Sequence, residues 1–153
     1  MQTSTRRATL PVPSVTPREA YDELCAYTLT QGDPAFIHQH VVDAFAAQQA
    51  DETTPPITLT FALVGLYLRV EKGRSGRQIQ LVHMKLAQRK RQWPRWSLPP
   101  ERGAMTAADV LLVPPGVDRD KAIDAWCASV WRAFRGHREA IAELLHQYAA
   151  AGR

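Results

Sequence analysis

Cysteine is scarce in this chain, and its two copies, Cys25 and Cys127, lie about a hundred positions apart. Two are too few for a disulfide framework. Both fall on the apolar faces of predicted helices, where a free thiol behaves as a small hydrophobe. The expectation is reduced, structural cysteines in a reducing compartment. Long hydrophobic runs are also missing. The longest, Ile57 to Val70, is 14 residues with threonines inside it, too short to span a bilayer. MQTSTRRATLPVPSVTP contains no apolar core of signal-peptide length. These absences predict a cytoplasmic protein with no membrane partner. Diagnostic chemistry is lacking too. GRSGRQ has neither the spacing nor the lysine of a phosphate-binding loop, and there is no nucleophile elbow, His-Glu-x-x-His or Cys-x-x-Cys.

What is present reads as one globular helical domain. At 153 residues the chain can bury a real core but not two comfortable ones. An apolar share of 45% with 22% charged residues is ordinary for such a domain. The eleven prolines sit mostly between the periodic segments, as punctuation. Residues 1–15 read as a flexible N-terminal arm and 16–150 as a single helical domain. Thr16-Pro17-Arg18-Glu19 opens a first helix by cap, proline and capping-box glutamate. Asp33-Pro34 opens a second, running to about Ala50, by the same logic. Residues 57–72 are apolar almost all round, as in a helix surrounded by others. Ser75-x-x-Gln78 caps a fourth helix to about Gln92. Prolines 94, 99 and 100 forbid a helix over 93–105. Thr106-x-x-Asp109 caps a short one, and Asp118 opens a last, long helix that Gly136 kinks or merely occupies. The fold class expected is all-α: a bundle of about five main helices around a buried central helix, 57–72.

Three of the five histidines fall on apolar helix faces: His38, His83 and His137. Inward imidazoles can ligate a metal, move protons or hold a small ligand, and they can also be hydrogen-bonded core residues. In an up-and-down bundle, at 1.5 Å rise per residue, His38 lies about 6 Å and His83 about 12 Å above the lower end. Glu71 returns to that end, and His137, about 28 Å down the last helix, falls in the same half. The long connection 93–117 interrupts the alternation. His40 shares a helix face with Asp43 at i,i+3, and His40 and His146 look exposed. The candidate ligand or metal set is therefore His38, Asp43, Glu71, His83 and His137, with a divalent metal as the candidate cofactor. An enzyme built on it would use a metal-activated water or a His–carboxylate proton relay.

The formal charge is +4, and part of the excess sits in KLAQRKRQWPRW. Lys85, Arg89, Arg91 and Arg95 would contact phosphates, with Trp93 and Trp96 stacking on unpaired bases. The same residues equally describe a solvated helix end with packed indoles. An interaction protein, such as a homodimer formed through the tryptophan-rich 93–100 loop or the end of the last helix, is the third reading.

The blocks FIHQHVVDAFAAQ, LVGLYLRVEKG, SGRQIQLVHMKLA, RGAMTAADVL and DAWCASVW, in that order, resemble a family of small bacterial helical proteins known only as a domain of unknown function. The resemblance covers most of residues 20–145. It implies a helical, cytoplasmic bacterial protein and supplies no activity, cofactor or catalytic residue. Proteins resembling this one carry histidine and aspartate at the positions of His38 and Asp43. Many carry histidine where this chain has Gln49 and Ala62, a departure that counts against a metal site in this member.

Overall fold

Local chemistry starts most of the helices where the sequence says it should. The computed structural model describes residues 15–89 and 92–151, with the side chains of 89 and 149–151 excepted. The expected arm thus lies almost wholly outside the described residues. The Thr16 hydroxyl accepts from the Glu19 amide, and α1 (Pro17–Thr30) follows with proline in its first turn. Ser75 and Gln78 close a reciprocal capping box at the start of α4 (Gly76–Arg89). Thr106 and Asp109 do the same for α5 (Ala107–Leu111).

The remaining helices are α2 (His38–Gln49), α3 (Pro56–Val70), α6 (Val117–Phe134) and α7 (Arg138–Ala151). A 3-10 turn, Arg135–His137, joins the last two. Among the described residues there is no strand, so the fold is all-α. α2, α3 and α6 pack against one another as the central trio. α1 and α5 cover one flank, α4 lies over α2 and α3, and α7 lies against α3. The expectation of a surrounded central helix holds: from Ala62 to Tyr67 every residue of α3 is buried. Trp126, Trp131, Phe134, Leu24, Leu63 and Leu66 are among the largest of the fully buried side chains in the core. Each such aliphatic or phenyl side chain contributes roughly 1.5–3 kcal/mol on burial.

Two boundaries depart from the sequence reading. α2 begins at His38, four residues later than expected, because Phe36 adopts a left-handed φ of 58° that no helix continues through. Asp33 still caps it, with its carboxylate accepting from the His38 amide at 3.0 Å. The strained turn is held from outside. The Arg77 amide donates to the Ala35 carbonyl, and Gly76 lies so close to the Phe36 carbonyl that any side chain there would overlap it. The last helix is two helices. Gly136 supplies little helix propensity, and the residues beside it are tied elsewhere: His137 to the Ser97 carbonyl and Arg138 to Glu71.

The segment after α4 has no regular structure from 92 to 105, as its prolines require. Trp93 packs edge-on to Phe61 with ring centres 5.1 Å apart, and Trp96 donates its indole N–H to the Thr60 hydroxyl at 2.8 Å.

Candidate functional site

α2 is covered by α1, α3, α4 and α6, so its buried arc is wider than one stripe. His40 and Asp43 both fall inside it, each with 3% of its surface exposed. The expectation of an exposed His40 is thereby corrected: a helix enclosed on several sides buries positions that a two-layer pattern leaves out. Asp43 Oδ1 accepts from the Gln39 amide at 3.0 Å. Among the described residues, Asp43 Oδ2 and His40 Nδ1 are buried and have no hydrogen-bond partner. Nearly all buried polar atoms in native proteins are paired, which makes two orphans on one helix face worth explaining.

The facing helices complete the junction. On α3, Gly65 lies directly against the Asp43 carboxyl, and a methyl group there would overlap Oδ2. One turn further on, Arg69 forms a fork with Asp124 of α6: Nε to Oδ1 and Nη2 to Oδ2, both 2.8 Å. The remaining Arg69 Nη1 donates to the Arg74 carbonyl at 3.1 Å. On α6, the Cys127 thiol points at the His40 carbonyl at 3.5 Å.

Burial sets the protonation states. It pushes the Asp43 carboxyl well above the usual range, against a smaller lowering by the Gln39 hydrogen bond. It pushes the His40 imidazole down to about 4, helped by the Arg69 charge and opposed by Asp124 and Asp33. Burial also raises the Cys127 thiol, with Asp43 and Asp124 adding to it. Burial therefore favours the neutral imidazole, the protonated acid and the thiol, beside a self-compensated ion pair.

The other sequence candidates occupy separate places. His38 is half-buried at the start of α2, with Nδ1 3.0 Å from the Thr28 hydroxyl. His83 is buried, stacked on Phe61 with centres 4.9 Å apart, and bonds through Nε2 to the Phe61 carbonyl at 2.8 Å. A carbonyl only accepts, so Nε2 carries the proton. Burial lowers the His83 pKa to about 4. His137 is half-buried in the 3-10 turn, donating from Nε2 to the Ser97 carbonyl at 2.8 Å. Glu71 accepts from the Trp131 indole at 2.8 Å and from Arg138. Among the described residues, no three His, Cys, Asp or Glu side chains come together in a way that could hold a metal ion.

Of the basic candidates, Lys85 and Arg95 are exposed, while the Arg89 side chain and Arg91 lie outside the described residues. Arg95 and Trp96 separate two open clefts, one of about 810 Å³ facing α7 and one of about 380 Å³ beside Asp51 and Glu52. Sequence reasoning missed Gly65, Arg69, Asp124 and Cys127 as members of the junction. The one signal available was a glycine inside an otherwise apolar helix, which marks a close approach.

Comparison with known families matches residues 9–135 to a model described as a family of unknown function (DUF5946). No curated protein and no solved structure matches the chain.

Proposed function

The chain belongs to that family of unknown function, DUF5946, and with no activity to inherit from it we propose that this protein binds a small polar ligand inside its helical bundle. The site is the α2–α3–α6 junction, and the inward-facing histidine that serves it is His40, partnered by Asp43. One observation carries the reading: an imidazole nitrogen and a carboxyl oxygen, on one helix face and out of reach of solvent, have no partner among the described residues. Each such atom costs about 1–3 kcal/mol when left unsatisfied. A guest that bonds either atom offsets part of that cost and gains affinity from it. The reading keeps Asp43 from the sequence analysis and leaves His38, His83, His137 and Glu71 as structural residues, each engaged by its own neighbours.

The test is a thermal-shift screen of small polar compounds against the parent and Asp43→Leu. At a hundred times its dissociation constant, a true ligand adds about 2.7 kcal/mol, a rise in Tm of roughly 5–10 °C for a chain of this size. Hits that act on the parent alone and move the His40 ring resonances support the site. Hits that stabilise both proteins equally, or no hits at all, reject it.

A second reading has its own observation. Leu112 and Val117 are 84% and 69% exposed on either side of the turn before α6, which suits a contact with another protein or a second copy of this chain. Light scattering decides it: a monomer at micromolar concentration removes the homodimer.

A further inference from the structure

The smaller of the two clefts beside Trp96 lies at the end of the bundle where α1 begins. Two contacts set that geometry. The Thr28 hydroxyl meets His38 Nδ1 at 3.0 Å, and Tyr21 stacks on Phe45 with ring centres 4.1 Å apart. α1 and α2 therefore run antiparallel, and Pro17 is level with the last turn of α2. Asp51 and Glu52 come directly after that turn and line the cleft, with Pro56, Leu59, Trp96 and Leu98 as its apolar side. Packed helix axes lie about 8–10 Å apart, and extended chain covers about 3.1 Å per residue. Some four residues ahead of Pro17 thus suffice to reach Asp51, and the next ones can follow the cleft. We infer that this cleft is the seat of the chain's own residues 6–13, RRATLPVP, with Leu10 to Pro13 on the apolar side and Arg6 and Arg7 on Asp51 and Glu52.

Segment and cleft match in chemistry. Pro11 and Pro13 favour the polyproline conformation, which loses little entropy on docking and is recognised by grooves with accessible aromatic rings. Trp96 supplies such a ring. Its N–H is fixed on the Thr60 hydroxyl, and the half-buried indole borders both clefts. The smaller cleft, about 380 Å³, carries two carboxylates against the single guanidinium of Arg95, so its charge is net negative. The Thr53 amide and hydroxyl donate to Asp51 Oδ1 at 2.8 and 2.6 Å. These bonds hold the Asp51 carboxyl below its ordinary range, which keeps it ionised at neutral pH. Arg6 and Arg7 bring the opposite sign. Tethering completes the argument. A segment joined to the domain by a few residues is present at an effective concentration on the order of millimolar, so even a weak contact is occupied.

Fluorine NMR of the full chain carrying 5-fluorotryptophan tests the seat. Each of the four tryptophans gives its own signal, and Trp126 and Trp131, sealed in the core, serve as references. The Trp96 signal is identified by its loss in Trp96→Phe. Replacing Pro11 and Pro13 together with serine should move the Trp96 signal and leave the references in place. A synthetic peptide of residues 6–13, added to that variant at millimolar concentration, should return the signal saturably to its parent position. Arg6→Glu with Arg7→Glu should move it in the same sense, and Glu52→Arg in that background should bring it back. An unmoved Trp96 signal in the proline variant, or a shift that the peptide does not reverse, overturns the inference. A response to the prolines without one to the arginines overturns the pairing with Asp51 and Glu52. A parent signal that moves on dilution means that a second copy fills the cleft, which overturns the seat within one chain.

Discussion

Replacing Asp43 with leucine should make this protein more stable and, on the function proposed above, unable to bind a ligand there. Leucine reproduces the two-pronged shape of the aspartate, so the change removes polarity and leaves most of the volume in place. It abolishes the orphaned Oδ2, worth about 1–3 kcal/mol, and opposes this with some crowding against Gly65. Gln39 is only half-buried and can turn its amide to water. The net expectation is a gain of about 1–2 kcal/mol, or about 2–8 °C in Tm. The pH dependence is the sharper readout. The folded-state pKa of Asp43 is raised, so the native protein holds this proton more tightly than the unfolded chain does. Stability is therefore lost as pH rises above the unfolded value near 4, by up to about 1.4 kcal/mol per pH unit until the folded pKa is passed. The leucine variant lacks this slope, and its advantage over the parent grows from pH 4 upward. Urea melts of both proteins from pH 4 to 8 measure the difference. Parallel profiles, or a variant less stable at every pH, would refute the reasoning.

Three further outcomes are expected. Gly65→Ala should cost about 1–3 kcal/mol by overpacking against the Asp43 carboxyl, and Asp43→Ala in the same chain should restore part of it. A double-mutant cycle with no coupling energy would mean that the two residues do not touch. His83 has a folded pKa of about 4 against 6.5 unfolded, so it adds stability above pH 6.5 that is lost as pH falls toward 4, about 3 kcal/mol in all. His83→Leu should flatten that acid limb, and an unchanged limb in acid melts would count against a buried neutral imidazole. Arg69→Met removes the positive neighbour of His40 and leaves Asp124 unpaired, so the His40 pKa should rise from about 4, with burial still holding it below 6.5. Ring resonances followed against pH report it, and the partly exposed ion pair should cost no more than about 1 kcal/mol in stability.

The parts legible in the sequence are those decided within a few residues. Thr16, Ser75 and Thr106 cap where they were read to cap, because a hydroxyl reaching an amide three positions on needs nothing from the rest of the chain. The apolar girth of 57–72 likewise identified the central helix. What escaped depends on distant partners. Phe36 turns left-handed in a corner held by Gly76 and Arg77, forty residues away in sequence. His40 is buried because four helices surround α2, and periodicity along one segment does not count neighbours. Asp43 was named from its position beside the histidines, yet the structure sets it with His40 and Gly65 rather than with His83 or His137. The N–H groups of those two rings meet backbone carbonyls, a satisfaction that sequence pattern does not display.

The break at Gly136 gives α7 a docking of its own, separate from that of α6. The family match stops at residue 135, one position past the end of α6, where the central trio is already complete. α7 is then held by Ile141 and Leu144 in the core, by Ala142, Leu145 and Tyr148 packed against it, by Arg138 on Glu71 and by the neighbouring His137 on Ser97. Native-state hydrogen exchange is expected to show α7 opening at a free energy below that of global unfolding, with α2, α3 and α6 the last to exchange. Each such opening would also move the α7 wall of the cleft beside Trp96, so the width of that cleft is expected to follow the docking of α7.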